Sequence, residues 1–223
     1  AQNRPVYIGG AVSNYGAIPG GDGAGRARMA RGPRVGYWSE YPEYSEAHVK
    51  ASMREQAQTL VEAGVDFLIA ESTGTLKQRE WVSEACAGLG VPFWVGFKSR
   101  IDKGVVKSGY VEDINFDSAI DSVLKFGGDV ATVFHSSVEA TSASIPILRQ
   151  HWKGPIGVYP DASRSDYLAR HGSAEDNATS VPRFVELARE WVGQGAQIVG
   201  GCCGFGPEYI APLRAALPAR ISR

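Results

Sequence analysis

Two adjacent cysteines near the end of the chain carry the clearest chemical signal in the sequence. Cys202 and Cys203 stand between Gly201 and Gly204, after a short apolar run and before a helical pattern that starts near Pro207. Neighbouring residues of a strand point to opposite faces, so both sulfurs reach one metal ion only if the backbone leaves strand geometry, as glycine allows. The N-terminus of the following helix would favour the thiolate form, which binds zinc. This pattern favours a zinc-thiolate site over a pair of small buried cysteines.

Other side chains with useful chemistry also follow short apolar runs. Glu71 ends one run, where its carboxylate would either hold a substrate ammonium or cap a loop. Tyr159 and Asp161 flank a proline at the end of another run and would line the same site. His135 follows a third run, and its spacing alone favours a histidine that is hydrogen-bonded to nearby backbone.

Six short apolar runs alternate with helical patterns along the chain. The runs are rich in β-branched and aromatic residues, which is typical of buried parallel strands. We predict strands at residues 6–12, 66–70, 93–97, 130–134, 156–159 and 197–199. We predict helices at residues 45–64, 76–88, 116–126, 139–151, 181–193 and 207–217, the first with Ser45 as N-cap and Gly64 as C-cap. This alternation predicts a parallel sheet with crossover helices.

The number of units leaves two architectures open. A (β/α)8 TIM-type barrel typically takes ~250 residues and eight units. The 223 residues fit a single domain over residues 1–223, but only six strand–helix units are visible. The fold is therefore either an open doubly wound sheet or a barrel whose first two units are missing from this chain.

Two long connections follow predicted strands, at residues 13–44 and 98–115. Both lie at strand ends where α/β barrels place their active sites, and we expect either functional lids or disorder. The first is glycine-rich but lacks the Gly-Lys-Ser/Thr and the helix register of a phosphate-binding loop. We interpret its four arginines as residues of a solvated loop.

Composition excludes several broad classes of protein. The net charge of -1 indicates neither a nucleic-acid partner nor an anionic membrane surface. No apolar run approaches the ~20 residues that a membrane span needs. Three cysteines are too few and too oddly spaced for a disulfide framework, and the adjacent pair suits a reducing compartment, so we expect a cytoplasmic protein.

The cysteine segment resembles the C-terminal zinc motif of the homocysteine S-methyltransferase family. The resemblance covers residues 199–204 and continues through residues 207–210. Residues 9–17, 63–72 and 158–162 resemble further family segments in the same order, the last of them a Tyr-Pro-Asn stretch. The family includes betaine-homocysteine methyltransferase and the homocysteine-binding module of cobalamin-dependent methionine synthase. The resemblance implies a (β/α)8 barrel, a zinc-bound homocysteine thiolate and a positively charged methyl donor.

The chain departs from the family pattern in three ways. His135 stands where the family has its third zinc-binding cysteine, and imidazole is a sound replacement. The change removes one negative charge and would make the metal more electrophilic. Phe134 replaces an asparagine, which removes a polar group near substrate. The family's first two strand–helix units are not visible, so we expect a truncated chain or one that needs a partner.

The resemblance implies a zinc-dependent S-methyltransferase that contributes to methionine formation. Cys202, Cys203 and His135 would hold Zn²⁺, and Glu71 would orient the amino-acid part of the acceptor. The donor would be a sulfonium such as S-methylmethionine or S-adenosylmethionine, and the acceptor a small thiol such as homocysteine. A homo-oligomer or a partner chain would supply the missing barrel units.

Three alternatives stay open at this stage. The first is a related methyltransferase with a different thiol or selenol acceptor. The second is a zinc-dependent lyase or hydrolase, in which Asp161 would serve as the general base. The third is a non-catalytic zinc-binding or assembly subunit.

Overall fold

The computed structural model describes residues 5–13, 45–72, 74–109, 112–162 and 179–217. Strands and helices alternate along these residues. The strands are β1 Gly9–Val12, β2 Phe67–Ala70, β3 Phe93–Phe97, β4 Ser99–Asp102, β5 Val105–Ser108, β6 Val130–Phe134, β7 Ile156–Tyr159 and β8 Ala196–Val199. The helices are α1 Glu46–Glu62, α2 Leu76–Cys86, α3 Phe116–Leu124, α4 Val138–His151, α5 Val181–Gly193 and α6 Pro207–Ala216.

Strands β1 to β3 pair in parallel with one another, as do β6 to β8, which confirms the predicted α/β class. Strand β2 pairs in parallel with β1 on one side and with β3 on the other. Strand β7 likewise pairs in parallel with β6 and β8, with one irregularity in register between Ile156 and Gly157. Parallel strands are covered by helices on both faces, and all five residues of β6 are accordingly buried.

The described residues form two compact units. The first contains β1, α1, β2, α2 and most of β3; its core includes Val12, Leu68 and the α1 residues Val49, Met53 and Ala57. The second contains β4 to β8 and helices α4 to α6. The assignment of the whole chain to one domain stays a prediction.

Side-chain caps fix where several helices begin. Ser45 accepts a hydrogen bond from the His48 N–H and starts α1, as predicted. Ser137 accepts the Ala140 N–H in the same way at the start of α4. The end of α1 differs slightly from the prediction, because Ala63 is the C-cap and Gly64 follows it at φ 87°. This is the position after a helix where glycine is most favoured.

Residues 98–115 are not a plain loop, because they contain an antiparallel hairpin. Strands β4 and β5 pair through a two-residue turn formed by Lys103 and Gly104, at φ 48° and 80°. Such left-handed pairs match the twist of a tight hairpin. The hairpin packs against α4 within the second unit. The glycine-rich stretch and the four arginines of the other long connection lie outside the described residues.

None of the helices in the described part of the chain is long and apolar enough to cross a membrane.

Candidate metal centre

Four side chains with metal-binding chemistry meet in the second unit. His135 follows β6, Asp161 follows β7, and Cys202 and Cys203 follow β8. One donor atom from each residue lies within 4.8 Å of the donor atoms of the other three. The three strands are parallel neighbours, so their carboxyl ends bring these residues to one place.

The donor atoms are nearly equidistant. The Cys202 and Cys203 sulfurs are 3.8 Å apart. The Nδ1 atom of His135 lies 3.9 Å from the first sulfur and 3.6 Å from the second. It also lies 3.0 Å from Oδ2 of Asp161.

Backbone hydrogen bonds lead the cysteine segment out of strand geometry. The Cys202 N–H donates to the Pro160 carbonyl over 2.8 Å, and the Ala162 N–H donates to the Cys203 carbonyl over 2.8 Å. These bonds tie the cysteines to the segment that follows β7. Gly204 then turns the chain at φ 81°, a conformation that L side chains rarely adopt.

Of the two glycines before the cysteines, only Gly201 is required by close packing. A β-carbon on Gly201 would come within 2.3 Å of the β-carbon of Phe205. A β-carbon on Gly200 would meet its nearest neighbour, in Tyr159, at an ordinary 3.7 Å. The departure from strand geometry that glycine allows is therefore observed at Gly204.

The backbone at His135 is unusual and is held by several polar contacts. His135 has φ 46°, in the left-handed region that few residues other than glycine occupy. Its carbonyl accepts a hydrogen bond of 2.6 Å from the Lys98 ammonium. The next residue, Ser136, accepts the Ser99 N–H at its hydroxyl over 2.8 Å and the Asp161 N–H at its carbonyl over 2.8 Å.

Asp161 connects the histidine to the cysteines. It is 5% exposed, and both carboxylate oxygens lie 3.0–3.1 Å from Nδ1 of His135. Its Oδ1 also accepts the Cys203 backbone N–H over 3.3 Å. The carboxylate therefore fixes the backbone of one cysteine and places a negative charge beside the other donors.

Contacts within the cluster shift the pKa values of its four residues in different directions. The hydrogen bond from Cys202, followed by that from His135, lowers the pKa of Cys203 to about 5. The same contact with Cys203, together with burial and the Asp161 charge, raises the pKa of Cys202. Burial opposes the imidazolium, but hydrogen bonds with Asp161 and Cys203 outweigh it and raise the pKa of His135 to about 9. Burial also opposes the Asp161 carboxylate, yet the His135 hydrogen bond keeps the Asp161 pKa below its usual value.

This donor set fits zinc. Cysteine sulfur and histidine nitrogen are the ligands that zinc prefers, with bonds of ~2.3 Å and ~2.0–2.1 Å in a tetrahedron. Such a tetrahedron sets donor–donor separations of about 3.3–3.8 Å. The sulfur–sulfur and sulfur–nitrogen separations of 3.6–3.9 Å are close to this range.

Two residues predicted for the same site lie in different surroundings. Tyr159 ends β7, and its hydroxyl lies 3.2 Å from Oγ1 of Thr132 on the neighbouring strand. Glu71 follows β2 in the first unit, where its N–H donates to the Val12 carbonyl over 2.9 Å. That Glu71 and Tyr159 share a site with the cysteines stays a prediction. Cys86, by contrast, is fully buried at the end of α2, and burial raises its pKa to about 12.

The contact between the Lys98 ammonium and the His135 carbonyl was not predicted from the sequence. Lys98 directly follows the apolar strand β3, as His135 follows β6, yet a lone lysine in that place carries no motif. The available signal was its position at a strand end rather than its residue type.

Comparison with known proteins agrees with the geometry. A family model described as homocysteine S-methyltransferase matches residues 1–217. Selenocysteine methyltransferase from Astragalus bisulcatus is 23% identical over 213 residues, which are 94% of this chain and 58% of that protein. Homocysteine S-methyltransferase 3 from Zea mays is 26% identical over 222 residues, 96% of this chain and 60% of that protein. The chain thus spans about 60% of the length of these curated relatives.

Solved structures support the barrel-type α/β fold. The homocysteine methyltransferase MmuM from Escherichia coli, in its apo form, superposes with a TM-score of 0.55 at 20% identity over 87% of this chain and 70% of that one. Its metallated form gives a TM-score of 0.53 at 19% identity over 86% and 67% of the two chains. At this level of identity the likeness shows the fold alone.

Proposed function

Because the chain belongs to the homocysteine S-methyltransferase family, we propose that it transfers a methyl group to a small thiol or selenol at the centre formed by His135, Cys202 and Cys203. The observation that carries this proposal is the convergence of these donors, with Asp161, within 4.8 Å of one another. Family membership alone does not say which residues act on the substrate. The donor cluster at the carboxyl ends of three parallel strands supports these residues as the site.

His135, Cys202 and Cys203 would hold a zinc ion in this proposal. When bound, zinc lowers the pKa of an acceptor thiol so that the reactive thiolate forms near neutral pH. The lowered pKa of Cys203, about 5, supports a ready thiolate ligand. Asp161 anchors the Cys203 N–H and keeps that sulfur directed at the cluster.

Glu71 and Tyr159 would orient the acceptor in this proposal. Glu71 would accept hydrogen bonds from the ammonium group of an amino-acid acceptor. Tyr159, which stacks in tilted fashion with Phe134 at 5.9 Å between ring centres, would contribute an apolar wall to the site. This wall would exclude water from the reacting sulfur, because hydration weakens a thiolate nucleophile.

The transfer itself is a displacement at carbon. The acceptor sulfur or selenium forms the new bond to the methyl carbon, and the carbon–sulfur bond of the donor breaks. Its electron pair stays on the donor sulfur, which leaves as a neutral thioether. A sulfonium such as S-methylmethionine or S-adenosylmethionine meets this requirement. The two curated relatives carry selenocysteine and homocysteine in their names, which supports a small amino-acid thiol or selenol as acceptor.

The test is a methyl-transfer assay on the zinc-loaded protein. S-methylmethionine and S-adenosylmethionine are each paired with homocysteine, selenocysteine and other small thiols, and methylated products are measured by mass spectrometry. We expect Cys202→Ser and Cys203→Ser to abolish transfer while circular dichroism stays unchanged. Cys86→Ser, a cysteine outside the cluster, serves as the matched control and should retain activity. Absence of transfer with every pair would overturn the proposal.

A further inference from the structure

Lys98 is a buried cation whose side chain contacts the backbone of His135, a residue of the metal centre. Lys98 is 0% exposed and follows Phe97, the last residue of β3. Its Nζ donates to the His135 carbonyl over 2.6 Å. A buried ammonium is destabilising unless its surroundings compensate it. The contact with the His135 carbonyl supplies part of that compensation and joins the lysine to the histidine backbone.

The His135 backbone needs such support. A left-handed conformation is strained for a residue with a β-carbon. His135 adopts it at φ 46°, and this conformation directs the ring so that Nδ1 faces both sulfurs, at 3.6 and 3.9 Å. If the backbone relaxed to negative φ, the bond from Cα to Cβ would swing and carry Nδ1 away from the cysteines.

Charge balance points the same way. The Cys202 and Cys203 thiolates and the Asp161 carboxylate carry one more negative charge than a divalent cation neutralises. The Lys98 ammonium acts on Asp161 through its electrostatic field and supplies one positive charge inside the same buried region. Charge compensation in a buried region is effective, because the protein interior screens charge less than water does.

We propose that Lys98 is a positioning residue of the metal centre, which holds the His135 backbone so that the imidazole faces Cys202 and Cys203, and which balances the charge of the centre. This inference rests on the proposed function, because it presupposes that the cluster binds a metal ion. Partners outside the coordination shell commonly change metal affinity by about 10- to 100-fold.

Lys107 offers a matched control. It lies on β5 of the adjoining hairpin, and its ammonium bonds Asp113 over 2.7 Å and Asn115 over 2.7 Å. It is thus a partly covered lysine with its own partners, in a segment close to Lys98 along the chain. Its loss removes one positive charge from the same unit without removing the contact to His135.

The experiment uses Co²⁺ as a spectroscopic probe. Wild type, Lys98→Met, Lys98→Arg and Lys107→Met are stripped with a chelator and titrated with Co²⁺. Thiolate-to-cobalt absorption and the visible cobalt bands report the ligand geometry, and chelator competition gives the affinity. We expect Lys98→Met to bind Co²⁺ about 10- to 100-fold more weakly, with altered visible bands. Lys98→Arg, which keeps the charge and the donors, should recover part of the loss, and Lys107→Met should match wild type.

The outcomes separate the two proposals. A folded Lys98→Met variant with wild-type affinity and spectrum would overturn the role of Lys98 and leave the proposed function standing. If wild type itself gives no thiolate-to-cobalt absorption, the metal centre fails and Lys98 loses its role with it. If circular dichroism shows that Lys98→Met does not fold, Lys98→Gln replaces it, with the same expectation of weaker binding and altered bands.

Discussion

At position 135 the chain presents an imidazole, which binds a metal ion as an uncharged ligand, while the family it resembles presents a cysteine. Sequence reasoning alone predicts that this change removes a negative charge from the centre. The structure adds Asp161, which stands where the family has asparagine and whose Oδ2 lies 3.0 Å from the His135 ring. The two residues that differ from the family, His135 and Asp161, are therefore in contact. The Asp161 carboxylate supplies the negative charge that a thiolate at position 135 would have carried.

Removal of the His135 imidazole should weaken zinc binding more than removal of a residue outside the centre. We expect His135→Ala to lower the affinity for zinc by more than about 100-fold. Loss of a partner outside the coordination shell typically lowers it by only about 10- to 100-fold. Cys86→Ala, which alters a fully buried thiol, is the control and should keep its zinc. Zinc content is measured by mass spectrometry of the metal after dialysis. Equal zinc in wild type and His135→Ala would remove the histidine from the centre.

Cys203 and Cys86 of the metal-free protein should react with a thiol reagent over different pH ranges. The pKa of Cys203 is lowered to about 5, so its thiolate is present above that pH and is lost as the pH falls through it. Its alkylation by iodoacetamide should therefore be nearly constant between pH 6 and 8, whereas an ordinary thiol of pKa ~8.5 gains about tenfold per pH unit. Cys86, with a pKa of about 12 and no exposed surface, should stay unmodified until the protein unfolds. Peptide mapping identifies the labelled site, and a rate at Cys203 that climbs steeply from pH 6 to 8 would contradict the expectation.

Glu71 belongs to the part of the proposed site that rests on resemblance. If it binds the acceptor ammonium, Glu71→Gln removes the charge but keeps the shape. We expect KM for the acceptor to rise while kcat changes little, because the lost contact is as strong in the ground state as in the transition state. Steady-state kinetics with the acceptor varied at saturating donor measures this. A fall in kcat with KM unchanged would place Glu71 in the methyl transfer itself.

At the scale of the elements, periodicity and apolar runs predict most of the fold. The strands Phe93–Phe97, Val130–Phe134 and Ile156–Tyr159 begin and end where the sequence predicts. The hairpin within residues 98–115 was not predicted, because its polar strands carry little of the apolar alternation that marks a strand.

The composition of the centre was also predictable only in part. The cysteine pair and the family position of His135 are visible along the chain. The contacts that Asp161 and Lys98 make with His135 join different strand ends, and a pattern within one element does not encode partners across elements. Strand-end position predicts that such residues converge, but not which pairs touch.

The turn after the cysteines gives a prediction for backbone strain. Gly204 has φ 81°, and a β-carbon there would lie 2.9 Å from that of Ala162. We expect Gly204→Ala to destabilise the protein by about 1–2 kcal/mol and to weaken zinc binding, because left-handed backbone disfavours a β-carbon. Gly193→Ala is the control, since a β-carbon at that helical position would have nothing within 4 Å and φ is ordinary. Chemical denaturation measures the free energy of unfolding, and equal values for the two variants would show that the turn carries no strain.

At the scale of the whole molecule, all four donor residues of the cluster lie in one of the two compact units. They come from the ends of three strands, β6, β7 and β8, so an ion held by them would tie these strand ends together. Binding to the folded form alone stabilises it by mass action. The first unit contributes none of the donors in this cluster and should gain no direct protection from the ion.

Metal removal should therefore destabilise the second unit selectively. At free zinc 100 times above Kd, binding stabilises the folded protein by about 2.7 kcal/mol, which a chelator would remove. Calorimetry should show a lower Tm after chelation in wild type and no further change in Cys202→Ser, which already lacks one ligand. Hydrogen exchange should localise the effect, with faster exchange at the Cys202 and Asp161 amides, which are hydrogen-bonded at the centre, and unchanged exchange within α1 of the first unit. Equal loss of protection in α1 would mean that the ion stabilises the chain globally rather than through the ends of β6, β7 and β8.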